Sequence, residues 1–311
     1  MTMTALFGRN QPGGVFTIQD MEAHPGVVRF VDSSHAAAAN ALGGGRSPDK
    51  PFSTLAYVMT NASTLTPALA AGDVIYLMPG HTETIAAAAG IACATAGVKI
   101  IGLGWGASRP TFTFSATGSS WTVTAASVYI KNIRVTSSIN ELVSMFSVSA
   151  ADVVLDAVDY VDPLAALETI QFLLTTSGAT RIVVKNCYHL ASTQAASAQK
   201  WIALVAVIQA RILDNTFILN LQDGATSAVI DLDTNVRRVE IGRNVIHLTG
   251  YTANLLSAIL GAAAATGICH DNRISGDVAV VTTLNDFPGG YSLENYCVRA
   301  VDKSGILDPI V

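Results

Sequence analysis

Short runs of alternating apolar and polar residues recur through the whole central part of this chain. Most of them end in a charged residue followed by asparagine, and their last residues stand 25, 29, 29, 29 and 28 positions apart. Alternation with a period of two is typical of a β-strand, and a near-constant longer period indicates one structural unit repeated many times. The runs are Val128-Tyr-Ile-Lys-Asn132, Val153-Val-Leu-Asp-Ala157, Ile182-Val-Val-Lys-Asn186, Arg211-Ile-Leu-Asp-Asn215, Glu240-Ile-Gly-Arg-Asn244 and Ile268-Cys-His-Asp-Asn272.

A second β-rich run lies about half-way through each period, and no helical pattern separates the runs. Examples are Trp121-Thr-Val-Thr, Met145-Phe-Ser-Val-Ser and Trp201-Ile-Ala-Leu-Val. Strands that recur in this way predict coils of parallel β-structure, in which each strand pairs with its counterpart one period away. The sequence therefore predicts an all-β protein, a right-handed parallel β-helix (a solenoid) of about eight coils.

Three other architectures disagree with this pattern. A leucine-rich repeat needs leucines before its asparagine, whereas the position five residues earlier holds Ser127, Asp152, Arg181, Ala210, Val239 and Gly267. A left-handed β-helix would show a hexapeptide rhythm, and a two-sheet sandwich would need hairpin turns every 8 to 12 residues. Neither is present, so the right-handed β-helix remains.

The two ends of the predicted rod need covering, because open strand edges invite uncontrolled association. The segment 51–61 predicts a short amphipathic capping helix at the N-terminal end, with Phe52, Leu55, Val58 and Met59 on one face. Residues 27–285 form the predicted β-helix. Residues 1–26 and 286–311 contain Gly and Pro breakers together with large apolar residues, and we expect them to be arms that reach onto neighbouring subunits.

Two columns of polar residues follow from stacking the periods on one another. The last position of each run predicts a structural ladder of asparagine side chains, and the position before it predicts a structural ladder of charges whose sign alternates at every step. Such a charge ladder would fix the register of the coils, because a slip would bring like charges together. The predicted asparagine ladder is Asn132, Asn186, Asn215, Asn244 and Asn272, and the predicted charge ladder is Lys131, Asp156, Lys185, Asp214, Arg243 and Asp271.

Composition narrows the possible partners. Acidic residues outnumber basic ones, 23 to 18, and no basic block is present, so nucleic-acid binding is not expected. The longest apolar run is too short to span a bilayer, and the start of the chain lacks the pattern of a secretory signal, so we expect no membrane and synthesis in a cytoplasm. A mean hydropathy of +0.42 is high for such a chain and predicts that partner subunits cover part of its surface.

Candidate chemical groups are few. Asp156, Asp159 and Asp162 crowd one segment that a hard cation would suit, but a solvated turn explains them better. Asp231 and Asp233 share a strand face as a general acid–base pair would, but no histidine or arginine of a flanking coil completes the pair. The glycines of segment 102–106 predict a tight corner, because no helix follows them to bind a phosphate. The four cysteines show neither zinc nor disulfide spacing. We therefore predict no catalytic residue, no metal ligand and no cofactor.

One segment resembles a known superfamily. Gly72-Asp-Val-Ile-Tyr-Leu-Met-Pro-Gly-His-Thr-Glu-Thr-Ile85, preceded by Gly45-Arg-Ser-Pro-Asp-Lys-Pro-Phe-Ser-Thr54 and followed by Gly97-Val-Lys-Ile-Ile-Gly-Leu-Gly104, resembles the opening coils of pectate-lyase-like right-handed β-helix proteins. The pattern as a whole, with the lead-in Phe30-Val-Asp-Ser-Ser34, is similar to β-helix proteins encoded by tailed bacteriophages. The Asn-Thr-Asp, Asp-Asp, Gly-His-Gly and Arg-Ile-Lys motifs of polygalacturonase-like members do not occur in this chain.

This resemblance implies a virion protein assembled in the host cytoplasm. We expect a non-enzymatic structural protein of a bacteriophage virion, a capsid decoration (cement) protein on the capsid surface that stabilises the head. Its expected partners are further copies of itself in a homotrimer and the major capsid protein or other virion proteins. The alternative is a tailspike or receptor-binding β-helix that binds or cleaves host polysaccharide.

Overall fold

Every strand pairing in the described part of the chain is parallel and joins residues 23 to 46 positions apart, which is one coil. The computed structural model describes residues 26–162, 167–193, 195, 197–222, 226–249, 257–276 and 285–299, without the side chains of 297–299. The predicted all-β fold is confirmed, and the solenoid matches a right-handed parallel β-helix. Its cross-section has three strand faces, which we call faces 1, 2 and 3 in chain order.

Faces 1 and 2 belong to one 17-stranded sheet, because two long strands, β8 (Tyr129–Ser137) and β10 (Val154–Val161), bend from one face to the other. Face 1 contains the first halves of these two strands together with β1 (Val28–Val31), β2 (Val74–Leu77), β5 (Lys99–Gly102), β12 (Val183–Lys185), β15 (Arg211–Leu213), β18 (Val239–Gly242), β21 (Gly267–His270) and β24 (Gly290–Leu293). Face 2 contains their second halves together with β3 (Thr82–Ile85), β6 (Thr111–Phe114), β13 (Tyr188–Ala191), β16 (Thr216–Leu219), β19 (Val245–Leu248), β22 (Arg273–Gly276) and β25 (Tyr296–Arg299).

Face 3 is a separate sheet, which has eight strands among the described residues. The solenoid makes about seven turns, close to the eight coils that the sequence predicts. Its strands are β4 (Ile91–Cys93), β7 (Trp121–Val123), β9 (Phe146–Val148), β11 (Leu173–Thr175), β14 (Lys200–Leu204), β17 (Ala228–Leu232), β20 (Ser257–Gly261) and β23 (Asn285–Asp286).

The core runs along the axis of the solenoid, because the inward side chain of each strand stacks on its counterpart in the next coil. Aromatic rings occupy the middle of this stack, with ring centroids 5.0 Å apart for Phe112 and Trp121 and 5.3 Å apart for Phe146 and Phe172. Edge-to-face contacts of this kind add to the free energy gained by burying the rings. Alternation of buried and half-exposed residues along most strands follows from the pleat, which places successive side chains on opposite sides.

A short helix, α1 (Leu55–Thr60), packs against β4 in the first coils of the solenoid. Its buried residues Leu55, Val58 and Met59, with the buried Phe52 before it, are the apolar face that the sequence predicts. The carboxylate of Glu83 accepts hydrogen bonds from the backbone N–H groups of Leu55 and Ala56 at 2.7 and 2.8 Å. These two N–H groups have no partner inside a helix, so the glutamate satisfies donors that would otherwise be buried without one.

The solenoid extends past residue 285, where the C-terminal arm was predicted to begin. Strand β24 pairs with β21 and β25 pairs with β22, so residues 290–299 complete another coil on faces 1 and 2. The arm boundary at 286 is therefore too early. Residues 1–25 and 300–311, which make up most of the two predicted arms, lie outside the described residues.

One residue in the left-handed backbone region forms the corner between faces 1 and 2 in successive coils. Its φ angle lies between 49° and 57° at Asn132, Ala157, Asn186, Asp214, Arg243, Asp271 and Glu294. A single left-handed residue turns the chain sharply while leaving both flanking strands in register. We call the line of these residues along the solenoid the corner edge.

Candidate functional site

An asparagine ladder lies immediately inside the corner edge. The side-chain amide of Asn215 donates to the Oδ1 atom of Asn244 at 2.9 Å, and Asn244 donates in the same way to Asn272 at 2.9 Å. Asn272 continues the ladder to Asn295 at 2.8 Å. Each Oδ1 atom also accepts the backbone N–H of the preceding rung, so the buried amides satisfy one another and the turn.

Two predicted members of this ladder lie elsewhere, and one actual member was missed. Asn132 and Asn186 occupy the left-handed corner position itself, where the other coils have Asp214 or Arg243. The reason is register: Val183 of β12 pairs with Arg211 of β15, which aligns Asn186 with Asp214, one residue before Asn215. Asn295 was missed, although Tyr291-Ser-Leu-Glu-Asn295 repeats the charged-residue–asparagine signature.

The same one-residue shift in strand register divides the predicted charge ladder into two sets. Lys131, Asp156 and Lys185 are cross-strand neighbours at the end of face 1, and the Nζ atom of Lys185 lies 3.5 Å from Asp156. Asp214, Arg243 and Asp271 form the second set one position later, at the left-handed corner. The predicted step from Lys185 to Asp214 is wrong, because Lys185 pairs with Leu213. Charges alternate in sign within each set of three, but the two sets lie in different columns and do not form one continuous ladder.

Asp156 is the most enclosed carboxylate of the first set. Tyr129 donates its hydroxyl to one carboxylate oxygen at 2.6 Å, and Asn186 donates its amide to the other at 2.8 Å. Burial alone would raise the pKa of Asp156, but these hydrogen bonds and the nearby Lys185 hold it below its usual value. The carboxylate is therefore fully engaged as a structural anion.

The three acids considered for a cation do not converge. Asp159 pairs with Arg109, and Asp162 accepts hydrogen bonds from Ser192 and Thr193. Within the described ranges, no group of three or more His, Cys, Asp or Glu side chains is arranged to hold a metal ion. The two aspartates of β10 and Asp162, which follows the strand, thus make three separate sets of contacts.

A groove on the outer surface of face 3 is one candidate site among the described residues. It has a volume of about 570 Å³, and Asp231 of β17 is part of its lining. The Nζ atom of Lys200, one coil earlier, lies 2.9 Å from Asp231, so a lysine completes the site that the sequence showed only as an acid pair. Leu174 and Leu260 are the outward residues of neighbouring strands and form apolar parts of the lining.

The charged groups of this groove favour contact with a polar ligand. Asp231 is only 7% exposed, and its burial raises its pKa although Lys200 opposes the shift; the neighbouring Asp233 raises the pKa further. The buried Asp231 carboxyl and the Lys200 amine present hydrogen-bond acceptors and donors side by side. The arrangement suits a neutral polyhydroxylated ligand, whose hydroxyl groups both donate and accept.

One histidine of the solenoid lies in its core. His189 is fully buried between aromatic rings; its Nδ1 atom accepts the indole N–H of Trp201 at 2.7 Å, and its Nε2 atom lies 3.0 Å from the carbonyl of Val158. The first contact leaves the ring proton on Nε2. Burial lowers the pKa of His189 to about 3, so the ring stays neutral and has a packing role.

The glycine-rich segment 102–106 does not make a tight corner. It forms a protruding loop with a single 3₁₀ turn at Gly106–Ser108, and Trp105 at its tip is 84% exposed. The side-chain amide of Asn132 donates to the carbonyls of Gly102 and Gly104 at 2.8 and 2.9 Å and fixes the loop. No sequence signal distinguished this tryptophan from a core residue.

Comparisons with known proteins add little beyond the fold. No family model and no curated protein matches this chain. One solved structure, a rhamnogalacturonan lyase, is similar at 13% identity and a TM-score of 0.45, over 81% of this chain and 75% of that one. Among the described residues, no helix is long and apolar enough to cross a bilayer.

The prediction that this chain is not an enzyme is corrected by that comparison, because the similar structure is that of a lyase.

Proposed function

We propose that this chain is a structural protein of a bacteriophage virion, a capsid decoration protein that lies on the head and stabilises it. The phage-like character of the repeat and the high mean hydropathy of +0.42 support a protein whose surface is covered by partner subunits. The hydrogen-bonded ladders along the solenoid support a rigid element that spans a distance.

The observation that carries the proposal is the apolar outer surface of the last described coil. Tyr291 and Leu293 of β24 are 79% and 54% exposed, and Tyr296 of β25 is 52% exposed. Exposed aromatic side chains on this coil fit a surface that contacts another virion protein.

Electron microscopy of virions labelled with antibodies against this protein tests the location. Signal over the head is expected, and signal confined to the tail contradicts the proposal. Heads assembled with a Tyr291→Ser/Leu293→Ser variant should lose most of the protein, while a Val143→Ser variant, altered at an exposed apolar residue before face 3, should be retained. Equal retention of both variants would remove the last coil as the contact.

The groove on face 3 favours a second candidate, a receptor-binding β-helix that binds host polysaccharide. Lys200 and Asp231 supply a donor and an acceptor beside the apolar surface of Leu174 and Leu260, which is the mixture that a sugar chain requires. A groove along stacked strands also matches the shape of an extended polymer.

Binding of purified capsular polysaccharide, measured by calorimetry, tests this candidate. Asp231→Asn and Lys200→Ala should each weaken binding about tenfold, because each removes a charged hydrogen-bonding group. Asp49→Asn, a matched change at an exposed carboxylate of the N-terminal region, should have no effect. Release of shortened chains in the same mixture would show cleavage in addition to binding, and binding unaffected by the groove variants would refute this site.

A further inference from the structure

Exposed apolar side chains concentrate along the corner edge. Of nine exposed large hydrophobic residues among those described, four lie on this edge or on the first residue of face 2 beside it: Trp105, Tyr188, Val245 and Tyr296. The left-handed residues of this edge are charged or carry side-chain amides, with the exception of Ala157. Clusters of aromatic residues with a polar surround are typical of protein interfaces.

The side chain of Trp105 projects into solvent from a loop whose backbone is held by hydrogen bonds. The loop that carries it replaces the single-residue corner of later coils, and its backbone is held by the Asn132 amide and by a 2.7 Å hydrogen bond from the N–H of Gly80 to the carbonyl of Ser108. The Ser108 hydroxyl also donates to the Trp105 carbonyl at 2.8 Å. Because the loop is already ordered, burying the indole against a partner costs little conformational entropy.

A hollow lies farther along the same edge. It has a volume of about 450 Å³ and is lined by Arg243, Asn244, Val245, Asp271 and Arg273. Val245 is 41% exposed and offers apolar contact, and the two arginines offer guanidinium groups for the face of an aromatic ring. A tryptophan that enters such a site gains both hydrophobic burial and cation–π attraction.

We propose that the corner edge is the interface between two copies of this chain, in which Trp105 of each copy occupies the hollow at Val245 of the other. Trp105 follows β5 and the hollow lies between the ends of β18 and β21, five to six strand spacings away, or roughly 25 Å. If the two solenoids lay side by side with their axes parallel, Trp105 of one copy and the hollow of the other would lie at different positions along the axis. A two-fold axis perpendicular to the solenoid brings both pairs together at once and closes the assembly.

The residue near the proposed two-fold axis is also apolar. Tyr188 lies three strand spacings from the Trp105 coil, close to half-way to the hollow, and is 40% exposed. In the two-copy arrangement it faces its own counterpart. This contact predicts an even number of copies, so a homotrimer would have to form through a different surface.

Sedimentation equilibrium of the purified full chain tests the contact. We expect a monomer–dimer equilibrium whose dissociation constant rises tenfold or more in Trp105→Ala, since a tryptophan buried in a pocket carries a large share of binding energy. Val245→Asp should have a similar effect from the other side of the contact. Ile208→Ala is the matched control and should leave the equilibrium unchanged, because Ile208 is 41% exposed and lies at the corner between faces 3 and 1. A monomer at every concentration, a trimer, or a Trp105→Ala variant with wild-type affinity would overturn the proposal.

Cysteine cross-linking tests the symmetry independently. Tyr188→Cys should form a disulfide-linked dimer under mild oxidation, because a residue beside a two-fold axis meets itself. Both variants are made in a Cys297→Ser background, and Ile208→Cys and that background alone should remain monomeric on the same gel. Absence of the Tyr188→Cys dimer contradicts the two-fold arrangement. This inference does not rest on the virion role, and either can fail without the other.

Discussion

Arg243 donates from Nε and Nη2 to the two carboxylate oxygens of Asp214, one coil away, at 2.7 and 2.8 Å. This bidentate pair lies at the left-handed corner, and hydrogen bonding from Arg243 holds the pKa of Asp214 below its usual value. Lys185, the other partner that the sequence predicts, is not a cross-strand neighbour and makes only the weakest contribution to that shift. Asp214 is therefore paired with the following coil, through Arg243, and has no cross-strand cation in the preceding coil.

Asp214→Lys should lower the melting temperature more at low than at high ionic strength. The substitution places a cation against Arg243, and at about 1 M salt the Debye length of about 3 Å screens that repulsion. Both side chains of the native pair are about half exposed, so its loss should cost about 1 kcal/mol or less in the free energy of unfolding. Thermal melts at two salt concentrations measure the difference.

An equal loss at both salt concentrations would refute the electrostatic role of this pair. The double variant Asp214→Arg/Arg243→Asp is the control, because it restores opposite charges at two residues that share the same backbone conformation. It should recover most of the stability lost by Asp214→Lys.

Asn244→Ala should destabilise the solenoid by about 1–3 kcal/mol. The substitution leaves the backbone N–H and side-chain amide of Asn215 and the carbonyl of Ile212 without their partner in a buried site. Urea unfolding followed by circular dichroism measures the loss. Asn140→Ala is the matched control, since Asn140 is an exposed asparagine outside the ladder. A loss as large in the control as in Asn244→Ala would show that the ladder contributes nothing special.

Stability should fall as pH drops from about 6.5 towards 3, in part because of His189. Its folded-state pKa of about 3 lies below the usual value near 6.5, so over this range the unfolded chain takes up a proton that the folded chain excludes. The group can cost up to about 1.4 kcal/mol per pH unit in the window. Urea unfolding of the wild type and of His189→Gln at pH 7 and pH 4.5 isolates its share. The wild type should lose more stability than the variant, and equal losses would refute the buried neutral histidine.

Three cysteines should react with thiol reagents only after unfolding. Burial raises the pKa of Cys93, Cys187 and Cys269 to about 12, so the reactive thiolate is scarce and the sulfur atoms are inaccessible. In a Cys297→Ser background, a chromogenic disulfide reagent should detect less than one thiol in native buffer and three in denaturant. Rapid native labelling of any of the three would contradict their packing in the core.

Local features of the fold were accessible from the sequence. The apolar spacing of Phe52, Leu55, Val58 and Met59 predicts the α1 cap correctly, because helical periodicity depends on neighbours along the chain. The period-two alternation and the 25- to 30-residue repeat likewise predict the parallel coils. The groove on face 3 was not predicted as a site, because Lys200 and Asp231 are 31 positions apart and meet only when their strands pair.

By itself, the sequence determined that this chain forms a parallel solenoid with polar ladders at its corners, since pattern and period are properties of the chain alone. Only the tertiary structure decided which residue stacks on which. The step from β12 to β15 spans 28 residues although the visible motif repeats after 29, because the pairing of His189 with Phe217 and of Val184 with Ile212 keeps their buried side chains on the core side. A shift of one residue would turn those side chains out to water, a cost far larger than that of one exposed ion pair. Core packing therefore set the register, and the asparagine and charge ladders changed position to follow it.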